Sequence, residues 1–256
     1  MRIVCLSDTH LCHVESPMYV GGQELVVPPG DILIHAGDMT WSGTISELSK
    51  ALQWIKSFSH PHKIIIAGNH DRAFECSPVV ARNMAKDGVI YLQNSGVTVM
   101  GYLFWGSPYT PRFLDWSFNL SRGDQLRENW EHIPNGTDVL ITHGPPYGVL
   151  DKVPIIGDSP VILDKYVKTE HVGCGELRKA VLDRVKPKLH VFGHIHYSRG
   201  VYSTKDTKFV NAAVVDDTGD IRQNAVVVDM TKEPDDNFGN QYPMCKYVWI
   251  KSANAM

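Results

Sequence analysis

The chain has 256 residues, and its 25 lysines and arginines against 28 aspartates and glutamates give a formal net charge of −3. Hydrophobic residues make up 43% and charged residues 21% of the chain, which is typical of a globular protein that can bury its own core. An isoelectric point near 6.4 excludes a protein that coats DNA through a basic surface, so we expect no stable nucleic-acid complex. The apolar runs are too short to span a membrane, and we expect no membrane partner.

Two features of the sequence predict a cytoplasmic location. Asp8 and His10 interrupt the apolar run near the amino terminus, which argues against a signal peptide. The five cysteines include no C-x-x-C pair, and their odd number fits reduced thiols better than a disulfide framework. We therefore expect the protein in a reducing compartment.

Predicted strands and helices alternate through the first two thirds of the chain. Short runs rich in isoleucine and valine predict buried strands at residues 2–7, 31–37, 63–68, 138–144 and 188–193. Capping signals and apolar residues at helical spacing predict helices at residues 44–58, 77–86, 123–133 and 175–185. Further strands are predicted at residues 97–105, 208–213, 225–230 and 246–250, without long helices between them.

This order of elements predicts an α/β fold with a mixed sheet, or with two packed sheets, rather than a purely parallel sheet. One domain over residues 1–256 is expected from the length, and two smaller domains are the alternative. Residues 231–243 are polar and include two prolines, which favours a loose connection before the last strand. We treat residues 231–256 as a carboxyl-terminal extension of undetermined fold.

Side chains that can bind metal ions follow five of the predicted strands. They are Asp8, His10, Asp38, Asn69, His143, His194 and His196. The carboxyl ends of strands in an open α/β sheet are where sites assemble, so we expect these side chains to converge. Oxygen and nitrogen donors without a thiolate favour manganese, iron, zinc or magnesium over a structural zinc site.

Seven protein ligands are too many for one ion, so the sequence predicts two divalent ions. A pair of ions bridged by a carboxylate can clamp the attacking and leaving oxygens of an in-line displacement at phosphorus. A hydroxide held between the two ions would be the nucleophile of such a reaction.

The series D-x-H, G-D, G-N-H-D, H and G-H-x-H, in this order, resembles the calcineurin-like metallophosphoesterases. Segments 107–109, 115–120, 138–146, 172–174 and 187–193 are similar to the branch of metallophosphoesterase-domain proteins first described from vertebrate brain. This resemblance extends from residue 1 to about residue 213. It implies two mixed β-sheets packed face to face and flanked by helices, a four-layer sandwich.

The resemblance also implies a division of the ligands between two metal ions. The first ion would be bound by Asp8, His10, Asp38 and His196. The second would be bound by Asp38, Asn69, His143 and His194, with Asp38 bridging the two ions. Some members of the branch carry glycine in place of the first histidine of G-H-x-H. The presence of His194 here favours a competent metal centre.

Two further residues of the G-N-H-D block have implied catalytic roles. His70 corresponds to the histidine of the family that meets the phosphate without binding metal, and it would protonate the leaving oxygen. Asp71 would orient the His70 ring, because an imidazole held by a carboxylate has a fixed tautomer.

Several other residues have expected roles outside the metal centre. His171, Gly173 and Cys174 precede a predicted helix in a loop that borders the pocket in this branch, and they are candidate substrate contacts. We expect Asp151 to be a solvated loop carboxylate and do not place it in the site. His35 is expected to be a buried structural histidine rather than a ligand.

The expected function is hydrolysis of a phosphodiester, with a cyclic nucleotide as a candidate substrate. The cofactors would be two divalent metal ions, with manganese favoured and iron, zinc or magnesium as alternatives. The expected partner is a small phosphate-ester substrate, such as a nucleotide. The alternatives are a phosphomonoesterase and a metal-binding scaffold protein without significant catalysis.

Overall fold

Two six-stranded β-sheets form the centre of the computed structural model, which describes residues 1–12, 24–155, 168–216 and 218–231 and the backbone of residues 246–248. The first sheet consists of β1 (Arg2–Leu6), β2 (Ile32–His35), β3 (His62–Ile65), β4 (Ile90–Tyr91), β15 (Val226–Asp229) and β16 (Lys246–Val248), in the order β16-β15-β1-β2-β3-β4. Strands β1 to β4 are parallel, whereas β15 and β16 pair antiparallel at one side. The first sheet is therefore mixed.

The second sheet is also mixed. It consists of β5 (Ser95–Val99), β6 (Tyr102–Ser107), β9 (Val139–Thr142), β12 (Leu189–Phe192), β13 (Gly200–Ser203) and β14 (Lys208–Asn211), in the order β13-β14-β12-β9-β6-β5. Strands β6, β9, β12 and β14 are parallel, and the strands at both edges are antiparallel to their neighbours. Two small sheets pair β7 (Thr110–Pro111) with β8 (Asn119–Leu120) and β10 (Lys152–Pro154) with β11 (Thr169–His171).

Helices lie on the outer faces of the two sheets. They are α1 (Ile45–Ser57), α2 (Ala73–Cys76), α3 (Pro78–Ala85), α4 (Asp124–Glu131) and α5 (Gly175–Lys179), which continues as a π-helix over Ala180–Val185. A 3₁₀-helix covers His196–Ser198. No helix among the described residues has both the length and the apolar composition needed to cross a membrane.

The alternation of side chains along each strand creates three apolar layers. Ile3 and Ile34 of the first sheet belong to the same buried cluster as Phe104 and Ile141 of the second, so one face of each sheet packs against the other. The intervening residues point outward, and Val4 packs in a cluster with helix α1.

Helices α4 and α5 cover the outer face of the second sheet. Trp130 and Leu177 from these helices share a buried cluster with Trp105 and Phe192 of the sheet. The expected four-layer arrangement of two mixed sheets between helices is thus confirmed.

The structure differs from two of the predicted elements. Residues 97–105 do not form one strand but belong to the antiparallel pair β5 and β6, because Met100 and Gly101 adopt positive φ angles of 52° and 77° and turn the chain. The helix predicted over residues 175–185 changes to π-helical geometry after Lys179. The strand predicted over residues 246–250 is present over residues 246–248, where it pairs with β15, and residues 249–250 lie outside the described residues.

Most of the carboxyl-terminal segment lies outside the described residues. The connection predicted over residues 231–243 is described only at Thr231, and residues 249–256 are also not described. The expectation of one domain over the whole chain therefore stays a prediction.

Candidate metal centre

The predicted metal ligands stand at the carboxyl ends of strands from both sheets. Asp8 and Asp38 follow β1 and β2, and His194 follows β12. All three have left-handed backbone conformations, with φ angles of 55°, 56° and 67°, which are uncommon for residues other than glycine. Such conformations persist only where surrounding contacts hold them, and they cluster at functional sites. Here the Asp8 N–H donates to the carbonyl of Gly37 at 3.0 Å.

One group of potential ligands consists of Asp8, His10 and His196, whose ligand atoms lie within 4.8 Å of one another. The Nδ1 atom of His10 is 3.0 Å from the carbonyl oxygen of Thr40, and Nδ1 of His196 is 3.3 Å from that of Asp216. Because a carbonyl oxygen can only accept, each Nδ1 carries the proton. This leaves the Nε2 of His196 3.4 Å from Oδ1 of Asp8.

A second group consists of Asp38, His143 and His194, again with ligand atoms within 4.8 Å of one another. The His143 Nδ1 donates to the carbonyl of Ala36 at 2.9 Å. Its Nε2 lies 3.2 Å from Oδ2 of Asp38 and 2.9 Å from Oδ1 of Asn69. Asn69 therefore belongs to this second group.

Asp38 connects the two groups. Its Oδ2 atom lies 3.2 Å from Nε2 of His143 and 3.8 Å from Nε2 of His10. A neutral imidazole whose Nδ1 carries the proton presents only a lone pair at Nε2. Lone pairs of imidazoles and carboxylates that face one another repel unless a proton or a metal ion lies between them, and this donor set fits two divalent ions. The structure brings all seven predicted ligands together, and their binding of metal stays a prediction.

The electrostatics of the centre favour ionised carboxylates. Burial opposes the ionisation of Asp38, but neighbouring His143 outweighs it and lowers the pKa of the Asp38 carboxyl. Burial alone would lower the pKa of His143, but Asp38 raises this pKa to about 9. Burial lowers the pKa of His194 to about 4. Metal binding at His143 would therefore release a proton.

His70 borders the metal-ligand groups without belonging to a strand. Its Nδ1 lies 2.6 Å from the carbonyl oxygen of Trp41 and donates to it, which leaves Nε2 for contact with a substrate. The ring centroid is 4.1 Å from that of Trp116 and 4.7 Å from that of His10. The backbone N–H of His70 donates to Oδ1 of Asp38 at 2.8 Å. His70 thus has a fixed tautomer and position.

The predicted role of Asp71 is wrong, because the carbonyl of Trp41, not the Asp71 carboxylate, orients the His70 ring. The Asp71 carboxylate is buried and accepts hydrogen bonds from the backbone N–H groups of Met39, Thr40 and Gly68 and from the Thr40 hydroxyl. Burial, followed by the negative charge of Asp38, raises the pKa of Asp71 to about 6. Asp71 joins the loop after β3 to the loop after β2, which fixes Asn69 relative to Asp38.

The three candidate substrate contacts have different surroundings in the structure. Gly173 lines the cleft next to the metal-ligand groups. The Cys174 side chain instead packs in the core, where its Sγ accepts from Nε1 of Trp130 at 3.3 Å, and burial raises the pKa of the thiol to about 11. The Nδ1 of His171 lies 2.6 Å from Oδ1 of Asp151, so this ring is held by the loop. The core position of Cys174 corrects its prediction as a substrate contact, whereas the predicted contacts of His171 and Gly173 stay predictions.

Asp151 is fully buried, which contradicts the expectation of a solvated carboxylate. Its Oδ2 accepts from the N–H groups of Gly148 and Gly173 at 2.8 and 3.0 Å. The only sequence signal for this role was a carboxylate in a loop between glycines. His35, in contrast, is buried in β2 as expected, with Nε2 2.9 Å from the Thr9 hydroxyl.

A cleft of about 680 Å³ opens over the metal-ligand groups. One part of its lining consists of His10, Asp38, Asn69, His70, His194 and His196. The walls are mainly apolar and aromatic, with Phe113, Leu114 and Trp116 exposed by 61%, 67% and 39%. The cleft can therefore hold an organic group next to the metal-ligand groups.

Replacing Asp38 by Asn should weaken the binding of both metal ions by more than about tenfold, because the change removes the charge that both groups share. We would measure metal content by mass spectrometry after dialysis and Mn²⁺ affinity by calorimetry. Asp124→Asn, at the exposed start of α4, is the matched control and should bind both ions normally. Loss of only one ion from Asp38→Asn would contradict a bridging carboxylate.

Comparisons with known proteins assign the family. A family profile described as calcineurin-like phosphoesterase matches residues 1–198. Metallophosphoesterase domain-containing protein 1 of Homo sapiens is 41% identical over 235 residues, which cover 83% of this chain and 66% of the relative. A UPF0046 protein of Caenorhabditis elegans is 36% identical over 246 residues, which cover 91% of this chain and 76% of the relative. A solved structure from Thermus thermophilus, TT1561, aligns at a TM-score of 0.49 and 12% identity, covering 82% of this chain and 88% of that one.

The chain spans slightly less than two thirds of the human relative. The family depends on two metal ions, and the described residues contain ligand groups for them. Because the family profile matches residues 1–198 and the C. elegans relative is covered over 76% of its length, the chain belongs to the calcineurin-like phosphoesterase family.

Proposed function

We propose that the protein hydrolyses a phosphodiester at two divalent metal ions. The observation that supports this most strongly is the pair of ligand groups connected by Asp38 below an open cleft. Two ions bound there would supply Lewis acids for the phosphoryl oxygens and would lower the pKa of water. The role of the chain is to hold the ligands and the substrate in a fixed geometry.

His70 is proposed as the proton donor to the leaving oxygen. The carbonyl of Trp41 holds Nδ1, so a protonated ring presents its Nε2–H to a bound substrate. Contacts with Trp116 and His10 limit rotation of the ring. A group that is already aligned loses little entropy when the transition state forms.

The shape of the cleft supports a diester over a monoester. A diester carries an organic group on both sides of phosphorus, and the cleft of about 680 Å³ has apolar surface for such groups. The exposed rings of Phe113 and Trp116 also offer faces on which a nucleobase could stack. A cyclic nucleotide is therefore one candidate substrate.

Manganese is the proposed metal, because the ligands offer oxygen and nitrogen donors and no thiolate. A cytoplasmic location is supported by the free thiols of Cys5, Cys12, Cys76 and Cys174.

Hydrolysis of bis(4-nitrophenyl) phosphate, compared with 4-nitrophenyl phosphate, tests the reaction. We expect Mn²⁺ to support cleavage of the diester at a higher kcat/KM than the monoester, and a chelator to abolish both activities. A higher kcat/KM for the monoester would support a phosphomonoesterase. Cleavage of neither ester by protein shown to hold two ions would contradict the proposal and favour the scaffold function.

Replacing His70 by Ala should leave metal content unchanged and lower turnover in a manner that depends on the leaving group. For diphenyl phosphate, whose phenolate leaving group is strongly basic, we expect kcat to fall by about 10²–10⁴-fold. For bis(4-nitrophenyl) phosphate the fall should be much smaller, because nitrophenolate leaves without a proton. His132→Ala, on the exposed end of α4, is the control and should match the unchanged protein. Equal losses on both esters would contradict the role of His70 as an acid.

A further inference from the structure

Two arginines line the cleft on the same side of a small parallel sheet. Arg112 directly follows β7, and Arg122 comes two residues after β8, which pairs with β7 in parallel. The Arg112 N–H donates to the carbonyl of Leu120 at 2.8 Å, so the two segments are held side by side. The pairing therefore brings two positive side chains to one end of the small sheet, next to the metal-ligand groups.

The Arg122 side chain is held in place by backbone carbonyls, and its charge interacts with the nearby carboxylate of Glu176 without forming an ion pair. Its Nη1 donates to the carbonyl of Gly173 at 2.7 Å, and its Nη2 donates to that of Val172 at 2.6 Å. Both acceptors are uncharged. Within the described part of the chain, neither Arg112 nor Arg122 forms an ion pair, and the Arg112 side chain makes no hydrogen bond there.

A buried carboxylate fixes the loop that holds Arg122. Asp151 accepts from the N–H of Gly173 at 3.0 Å and contacts Nδ1 of His171 at 2.6 Å. Because the Gly173 carbonyl is thereby fixed, the Arg122 guanidinium is positioned before any ligand binds. Preorganisation of this kind reduces the entropy lost on binding.

The walls of the cleft around the two arginines carry more positive than negative charge. Phe113 and Leu114 lie next to Arg112 in the chain and line the same cleft. These two side chains and both arginines are exposed to solvent, so the attraction for an anion depends on two guanidinium groups acting together rather than on burial. Apart from Asp38, Glu170 is the one acidic side chain among the described lining residues, so the two arginines exceed the negative charge outside the metal-ligand groups.

We propose that Arg112 and Arg122 bind a second anionic group of the substrate, separate from the phosphate that is hydrolysed. Guanidinium groups bind carboxylates and phosphates through paired hydrogen bonds, so the substrate class is a phosphodiester that carries an additional carboxylate or phosphate. This inference rests on the proposed phosphodiesterase function. A simple cyclic mononucleotide carries its only charge on the scissile phosphate. We therefore expect it to be a poorer substrate than a diester with a second negative charge.

Three 4-nitrophenyl aryl phosphates test the inference, because they differ only in the second aryl group: phenyl, 4-carboxyphenyl or 4-(trimethylammonio)phenyl. In the unchanged protein with Mn²⁺, we expect kcat/KM for the carboxyphenyl ester to exceed that for the phenyl ester by about tenfold. The cationic ester should be the poorest substrate. In Arg112→Gln, the kcat/KM for the carboxyphenyl ester should come close to that for the phenyl ester. Arg122→Gln should also lower the ratio of these two kcat/KM values.

The control variant is Arg127→Gln, an exposed arginine of α4 that pairs with Asp124 at 2.7 Å. It should keep the full preference for the anionic ester. A ratio near one in the unchanged protein would overturn the inference. Equal losses on all three esters in Arg112→Gln would also overturn it, because they would place the arginine at the scissile phosphate.

Binding provides a second measurement that does not depend on turnover. Diphenyl phosphate and 4-carboxyphenyl phenyl phosphate would be titrated into the Mn²⁺-loaded protein by calorimetry. Tighter binding of the carboxylated ligand, lost in Arg112→Gln, would support the inference even if no ester were cleaved and the proposed hydrolysis failed. Equal affinity for both ligands would contradict it. Because Arg112 makes no side-chain hydrogen bond to the described residues, its replacement should leave the fold intact.

Discussion

The carboxylate of Asp38 lies between imidazoles that come from different sheets. His10 follows β1 of the first sheet, and His143 follows β9 of the second, yet both direct Nε2 toward Oδ2 of Asp38. Each ligand group takes side chains from both sheets, so the distance between its ligand atoms depends on how closely the two sheets pack. Since protein interiors are packed as densely as organic crystals, a shared apolar layer fixes that distance more firmly than loops could.

The backbone around Asp38 allows the His143 ring to lie close to the Asp38 carboxylate. Gly37 has a φ angle of 100°, and a Cβ atom there would lie 2.6 Å from Nδ1 of His143. A side chain at this position would push His143 away from the carbonyl of Ala36, which sets its tautomer. Asp71 completes the arrangement from the neighbouring loop through its bond to the N–H of Gly68. The centre thus depends on backbone contacts as much as on the ligands.

The strands and the ligand positions could be predicted because they follow from local rules, whereas the four-layer arrangement was implied by the family resemblance. Buried strands are short apolar runs, and a polar residue such as Asp8 after a parallel strand must stand at its carboxyl end. The roles of Asp71 and Asp151 could not be predicted in this way. Both carboxylates accept backbone N–H groups from loops, and the direction of a loop side chain depends on tertiary contacts. The same reason applies to Cys174, whose loop position gave no sign that its thiol enters the core.

The cleft has a polar part and walls made of loops and small sheets, and these two parts have different functions. The polar part holds the ligand groups and His70, and backbone carbonyls hold the Nδ1 atoms of four of its histidines: His10, His70, His143 and His196. The walls come from loops and from the small sheets that include β7 and β8, which are attached to the central sheets. This separation allows the walls to select a substrate while the packed sheets keep the ligand geometry constant.

The claim that two ions share Asp38 can be tested directly by electron paramagnetic resonance of the protein loaded with two equivalents of Mn²⁺. Ions bridged by a carboxylate lie about 3.5–4 Å apart and should be exchange-coupled. Two Mn²⁺ ions that share Asp38 should give the multiline spectrum of a coupled pair. The simple hyperfine pattern of isolated Mn²⁺ ions, in protein shown to contain two ions per chain, would contradict it.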